Sequence, residues 1–487
     1  MGIYTALLLV AVVLLICIGS SRLSYRLGVP VLFLFIVLGM IFGSDGVFGL
    51  PFDNYQLTEQ VCSVALVFIM FYGGFGTSWK EARPVAAQAI LLASLGVVLT
   101  AGITALFCFG VLGLSVYESL LIGSVISSTD AASVFSILRS KKLSLKHGLA
   151  SLLELESGSN DPTSYMLTAI VLAAMGGRGQ KNVPLQLLSQ VLFGLAVGAL
   201  VAVLATAVLT RVSFEQKGLH TTFLVAVALG CYALAQLLGG NGYLAVYVAG
   251  IVLGNSRILH KVELVHFFDG ITWLAQVLIF FVLGLLAFPS QIPALLGTAV
   301  AITAFLSLVA RPAATLAILS WFKVPLRQQF FVSMAGIRGA ASIVFAVMAM
   351  NAGVPMRLDI FHIVFCVALF SVAVQGTLLP VLARKLGLVG DQEGGGVWKT
   401  FTDYQDQEKV QLIELPVVQG DFWCGKAVRD LGLPPELLIT MIVRGEETVI
   451  PKGGTVIAGG DLLVLGGLGR AQMQALLAQC CSDPQKK

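Results

Sequence analysis

Charge is what this sequence has least of. Of its 487 residues only 11% are Asp, Glu, Lys or Arg, under half of the roughly 25% usual in soluble domains. Apolar residues make up 57% and the mean hydropathy is +0.91, so a soluble globular chain is excluded. The net charge of +4 is small and scattered, which leaves no basic patch for nucleic acid. Cysteines with metal-type spacing are missing too: Cys17, Cys62, Cys108, Cys231 and Cys366 lie in apolar runs and read as small core residues. The first residues, MGIYTALLLVAVVLLICIG, lack the basic start of a signal peptide and are expected to form a first span. No TVGYG-like run is present, which argues against a potassium-channel filter. Nor does Asp130 or Asp161 sit in a GxGD motif of the intramembrane aspartyl protease kind. No catalytic residue is expected, and the chain does not read as an enzyme.

What the sequence does have is long apolar runs. A helix needs about 20 such residues to cross a bilayer, and thirteen spans are expected, centred near residues 11, 39, 67, 98, 128, 161, 198, 228, 249, 277, 305, 340 and 369. Alternate loops carry Arg22 and Arg26; Lys80 and Arg83; Arg139, Lys141, Lys142 and Lys146; Arg211 and Lys217; Arg257 and Lys261; Lys323 and Arg327; Arg384 and Lys385. The opposite loops carry only Arg178, Lys181 and Arg357. Basic loops face the cytoplasm, so the expected topology is multi-pass, with the N-terminus outside and the C-terminus inside. Residues 1–388 form the transmembrane domain of this reading and 389–405, polar and rich in Gly, a linker. Residues 406–483 alternate short β-type runs (VQLIEL, ITMIVR, DLLVLG) with turn residues and one helical piece, GKAVRDLG, as expected of a small cytosolic α+β module.

Four spans carry polar groups at membrane depth, where each charge costs about 2.5–3.5 kcal/mol on insertion scales. The fifth holds Thr129 and Asp130, the sixth Glu154, Glu156 and Asp161, the eleventh Arg311 before Pro312, and the twelfth Arg338 between Gly336 and Gly339. The SSTD of span five and the glycines of span twelve are expected to break both helices. Broken spans at corresponding places in two halves point to a transporter's binding site. The two are seven spans apart, which suits two related halves of six spans after one extra N-terminal helix. On span six Glu156 and Asn160 are four residues apart and share a face, with Ser157 and Asp161 on the next. Such a set of oxygens can replace the water of a monovalent cation. A buried carboxylate that takes either a proton or a cation, never both, is the minimal exchanger. Structural readings stand beside these. Asp130 can cap half of span five, Glu154 can be a rim charge, and Glu156 can be neutralised by Arg338. Arg311 can answer freed carbonyls or a carboxylate. For Asp161 the functional reading outweighs the structural one, because Pro162 frees carbonyls beside it and nothing basic lies within a turn. His147, His220, His260, His266 and His362, near loops and span ends, are expected at the surface.

The TD of span five, ESGSNDP of span six, ARPAAT of span eleven and GIRGA of span twelve together resemble the NhaP-type branch of the monovalent cation/proton antiporters, the superfamily of the animal sodium/proton exchangers. The resemblance covers residues 1–388. It implies a homodimer in a prokaryotic cytoplasmic membrane, each protomer with 13 spans in inverted six-helix repeats, a dimerisation domain and a six-helix core that moves like an elevator. It also implies that the two broken helices cross beside the ion site. It implies that Asp161 binds cation and proton, that Ser157, Asp130 and the Thr129 backbone are ligands, and that Asn160 orients the site. It pairs Glu156 with Arg338, with Arg311 in the same structural group, and the Asn of ND implies electroneutral one-for-one exchange. Span three reads Tyr72-Gly73-Gly74 where several sodium-handling relatives have an acid, which favours K⁺ as cargo. The expected function is K⁺/H⁺ antiport for potassium efflux, pH and volume homeostasis, with Na⁺(Li⁺)/H⁺ antiport as the alternative. The tail, through GKAVRDLGLP and IVRGEETVIPKGGTVIAGGDLLVLGG, resembles the TrkA-C type of potassium-conductance regulators. Such modules dimerise and bind small regulators, in some relatives a cyclic dinucleotide. No GxGxxG precedes it, so the nucleotide-binding half is absent and no NAD, ATP or other cofactor is expected.

Overall fold

The structure, a computed structural model, describes residues 4, 8, 11–19, 31–141, 143, 145–176, 182–211, 217–256, 258, 261–390, 411–418, 421, 423–433, 437–445 and 447–467. The chain divides into two compact units, Met1–Gly390 and Asp391–Lys487. The expected linker lies, from 391 on, outside the described residues.

The first unit is helical throughout. After a helical stretch at 11–19 come α1 (Val31–Phe42), α2 (Tyr55–Gly76), α3 (Trp79–Gly110), α4 (Val116–Val125), α5 (Ala131–Ser140), α6 (Leu149–Met175) and α7 (Val183–Arg211). Then follow α8 (Lys217–Leu237), α9 (Gly242–Gly254), α10 (Lys261–Leu286), α11 (Pro289–Leu319), α12 (Leu326–Met334), α13 (Ala340–Asn351) and α14 (Ile360–Lys385). Among the described residues seven helical segments are long and apolar enough to cross a membrane: α2, α3, α7, most of α8, α10, α11 and α14. The breaks are where the sequence puts them. α4 stops at Val125 and α5 starts at Ala131; α12 stops at Met334 and α13 starts at Ala340. Each helix of these two pairs is too short to cross alone at 1.5 Å per residue. α3, α11 and α14 each contain a π-turn, at Leu92–Gly96, Leu306–Ala310 and Ser371–Gln375, which shifts the face presented by every later residue.

Start signals are local. Asn54 Oδ1 accepts from Leu57 N at 2.8 Å to cap α2, and Ser115 with Glu118 forms a capping box on α4. Glycines decide which helices meet at backbone distance. A Cβ on Gly74 would strike the Tyr247 carbonyl, one on Gly250 the Phe71 carbonyl and one on Gly254 the Phe75 carbonyl, so α2 and α9 touch through main chain. Gly198 of α7 meets Ala245 of α9 in the same way, and Gly39 of α1 meets Phe281 and Gly284 of α10. With no water-driven force between helices in lipid, such close approach is what holds them. Two histidines depart from the expectation of surface positions. His220 is buried. So is His362, whose Nδ1 lies 2.6 Å from Asp359 Oδ2 while its Nε2 accepts from Phe288 N at 2.9 Å: a polar partner on each ring nitrogen makes its burial tolerable.

The second unit holds an antiparallel sheet of β1 (Gln411–Pro416), β2 (Leu437–Arg444), β3 (Glu447–Val449) and β4 (Leu462–Gly467), in the order β1-β4-β2-β3. The three expected strands are β1, β2 and β4. The expected helical piece shrinks to a single 3₁₀ turn, Val428–Asp430, because glycines at 425 and 432 take left-handed φ on either side. One face packs Val417, Trp423, Leu431, Ile439, Ile442, Ile457, Leu463 and Leu465. Asp461, 1% exposed, joins the end of β2 to the turn that precedes β4. Its carboxylate accepts from Arg444 Nε and Nη2, both at 2.7 Å, and from Ala458 N at 2.8 Å, and these donors hold its pKa below the ordinary aspartate value. A depressed pKa stabilises the fold above about pH 4, and that contribution is lost as pH falls through the folded value. Asp461→Asn in the full chain is therefore expected to raise amide exchange in β2 and β4 near neutral pH, with the difference from wild type fading below pH 4. Equal exchange at pH 7 would refute the assignment.

Candidate functional site

Span six supplies the site because its polar residues recur at helical spacing. Ser157, Asn160, Asp161 and Ser164 fall at i, i+3, i+4 and i+7, one stripe of α6, and each bonds to the end of α4 or to the break after it. Ser164 Oγ donates to Ser124 O at 2.6 Å, Ser157 Oγ to Thr129 O at 2.6 Å, and Asn160 Nδ2 to Thr129 Oγ1. The Ser128 hydroxyl donates to Asp161 Oδ1. Asp161 is 6% exposed and Asn160 fully buried. Asn160 Oδ1 is also buried and has no hydrogen-bond partner among the described residues. Asp161, Ser157, Thr129 and Asn160 thus stand together, and α6 runs through Pro162 without a break.

Asp130 is held differently. Its carboxylate accepts from Ser133 Oγ at 2.6 Å and from Ser133 N at 3.3 Å, an N-cap on α5. Its own N–H donates to Ile337 O at 2.8 Å, so the two breaks touch at backbone level. A Cβ on Gly339 would land on the Asp130 side chain, which explains the second glycine of GIRGA.

The arginines require a correction. Glu156 pairs with Arg311, not Arg338, and both partners are 1% exposed. Arg338 Nη1 instead donates to Ser127 O at 2.8 Å and Ser128 O at 2.7 Å, carbonyls left over where α4 ends. The physical reason is register. The π-turn just ahead of Arg311 re-aims its face toward α6, while Arg338 sits in an open break beside a helix C-terminus, where a cation is favoured. Gly336 makes room for this, since a Cβ there would come within 2.9 Å of Arg311 Nε. Arg338 N–H is fixed by Ser371 Oγ at 2.9 Å, and Ser371 donates to Gln375. Glu154 is half-buried. The sequence reading missed Ser128, Ser164 and Ser371. The i, i+3, i+4, i+7 stripe would have found Ser164; Ser128 was read only as a helix breaker.

This geometry holds one carboxylate by charge and another by a neutral hydroxyl, beside two helix breaks at membrane depth. Residues 9–385 match the family described as sodium/hydrogen exchanger, transmembrane. The chain belongs to this family. Residues 412–474 match the TrkA-C domain. Among relatives of this exchanger, "K(+)/H(+) antiporter NhaP" of Alkalimonas amylolytica is 37% identical over 458 residues, 93% of this chain and 80% of that protein. "K(+)/H(+) antiporter NhaP2" of Shewanella oneidensis is 31% identical, covering 92% and 78%. The solved sodium proton antiporter MjNhaP1 of Methanocaldococcus jannaschii shares the fold, with a TM-score of 0.69 at 21% identity over 79% of this chain and 99% of that one. The chain is thus a polytopic α-helical membrane protein of the antiporter fold with a small C-terminal sheet domain.

Removing one member of a buried pair strands the other. Arg311→Met or Glu156→Gln alone is expected to destabilise the exchanger by about 3–5 kcal/mol, and the double variant by clearly less than the sum. Thermal unfolding in detergent measures the cycle, and additivity would mean the two side chains do not pair.

Proposed function

We propose that this exchanger moves K⁺ against H⁺, one for one, with Asp161 carrying either cargo. The observation that carries the reading is the charge count around the crossing. Glu156, Asp130 and Asp161 are three carboxylates, and Arg311 and Arg338 are two guanidiniums. With all ionised the group stands at −1, and one proton or one monovalent cation brings it to zero. A group that is neutral only when loaded with a single positive charge exchanges one for one across the low-dielectric core. Ser157 Oγ, the Thr129 carbonyl and Asn160 Oδ1 offer neutral oxygens beside Asp161, and Asp130 adds charge from the cap of α5. The potassium assignment rests on the printed activities of the relatives at 37% and 31% identity and on Tyr72-Gly73-Gly74, where no carboxylate stands. A relative named as a Na⁺/H⁺ antiporter, from Aphanothece halophytica, is 24% identical.

The same reading makes the protein a homodimer in a prokaryotic cytoplasmic membrane, with thirteen spans per protomer, the N-terminus outside and the tail inside. The tail, a TrkA-C module, senses a small ligand, and the cyclic dinucleotide class is the candidate.

Proton flux reported by a dye in proteoliposomes with an inside-acid gradient tests this. K⁺ and Rb⁺ are expected to dissipate the gradient at lower concentration than Na⁺ or Li⁺. Asp161→Asn is expected to be silent, and Ser157→Ala to raise half-saturating K⁺ about tenfold, the loss of one buried hydrogen-bonding oxygen. A response to Na⁺ and Li⁺ alone would overturn the potassium assignment, and an active Asp161→Asn would overturn the site.

A further inference from the structure

We infer that Asn241 is a catch between the fixed and moving parts of the exchanger, gripping the ion-binding helix one residue from Asp161. The inference rests on the transport reading above.

Two kinds of helix contact meet at α9. Toward α2 and α7 the contact is main chain against main chain, through Gly74, Gly250, Gly254 and Gly198. Main-chain carbonyls lodged at glycines cannot slide past one another without meeting the next side chain. Toward α6 the contact is made by side chains. The ring of Tyr247 covers Gly158, where a Cβ would fall inside it, and the amide of Asn241 donates from Nδ2 to Pro162 O at 2.8 Å. Contacts of this second kind can release and re-form one turn along, a step of about 5.4 Å. The α6–α9 seam is thus the slip plane, and α9 belongs to the side that stays with α2 and α7.

Asn241 is built for one position only. It is fully buried. Its Oδ1 accepts from Leu244 N at 3.0 Å and caps α9. Its own N–H donates to Gln190 O at 3.0 Å on α7. With those two bonds fixing it to α9 and α7, its one remaining donor arm reaches across to α6. The place it grips is where α6 is weakest, since Pro162 brings no N–H to the Gly158 carbonyl one turn back. A shift of α6 by one turn breaks this bond completely, so the catch holds α6 in the register seen here and must open in each cycle. Asn241 touches no cargo. It is a positioning residue.

Asn241→Ser separates the catch from the cap, because a serine hydroxyl still caps a helix but has no amide to reach Pro162. Asn241→Ala removes both. Hydrogen exchange on the full chain in proteoliposomes is expected to rise about fivefold at amides 158–166 in both variants, the effect of one net hydrogen bond on a local opening equilibrium. In the flux assay the serine variant is expected to raise the maximal rate per folded transporter while half-saturating K⁺ stays within twofold. A role confined to folding would lower the amount of protein and leave the rate alone. If exchange at 158–166 in the serine variant equals wild type, or only the alanine variant differs, the catch is refuted and Asn241 is a cap. The exchange measurement is repeated in an Asp161→Asn background, which carries no flux. An intact effect there together with a failed cation response in wild type faults the transport reading and not the catch.

Discussion

Inside a bilayer an unpaired backbone group has no water to turn to, and this chain opens two helices there. Most of what surrounds the crossing answers that constraint. The carbonyls of Ser127 and Ser128, stranded where α4 ends, take Arg338. The Ser133 N–H in the first turn of α5 takes Asp130. Ser124 O and Thr129 O take hydroxyls from α6, and Ile337 O takes the Asp130 N–H. The break is stable because each side of it is a donor or acceptor for something already required. The two glycines flanking Arg338 follow from the same closeness, since Gly336 and Gly339 lie where Arg311 and Asp130 already fill the space.

The division of labour between carboxylates follows. A carboxylate facing a guanidinium is paid in full: Glu156, buried with Arg311, has its counter-charge at hand. Asp161 has a hydroxyl as its partner. A hydroxyl donates a hydrogen bond but brings no net charge, so the Asp161 anion remains uncompensated in a place that does not tolerate it. On the proposed reading the balancing positive charge is the cargo, and the structure gives Asp161 a hydrogen bond from Ser128 to hold its place.

Much of this was written in the sequence and some was not. Breaks fall where SSTD and GIRG put them, because Ser, Asp and Gly act on the backbone within a few residues, and local effects are readable locally. The face of α6 was readable for the same reason, and a stricter count of spacing would have added Ser164. Partners across helices were not readable. Arg311 and Arg338 are both buried arginines beside glycine or proline, and nothing in either run says which meets Glu156. That choice is made by a π-turn, which has no clear residue signature and turns a face by about 100°. His362 was misplaced because its burial depends on Phe288, 74 positions away. In the tail the strands were legible from alternation, while the helical piece failed because two left-handed glycines close it off.

Cargo preference is the subtlest consequence of the same arrangement. Selectivity between Na⁺ and K⁺ follows the number and field strength of the oxygens that replace water. A further carboxylate beside Asp161 and Asp130 would strengthen that field and reward the smaller ion for the work of losing its tighter water. In α2 Gly74 lies against the Tyr247 carbonyl and Tyr72 Oη donates to Asp269 Oδ1 at 3.1 Å on α10. These residues are committed to joining α2 to α9 and α10, and a bulky acid at Gly74 would part α2 from α9. The helix contact that fixes the scaffold therefore also keeps a further carboxylate away from Asp161, Asp130 and the neutral oxygens beside them. A field of that strength repays the dehydration of the larger cation more readily than that of the smaller, which ties the proposed preference for K⁺ to how α2 and α9 pack.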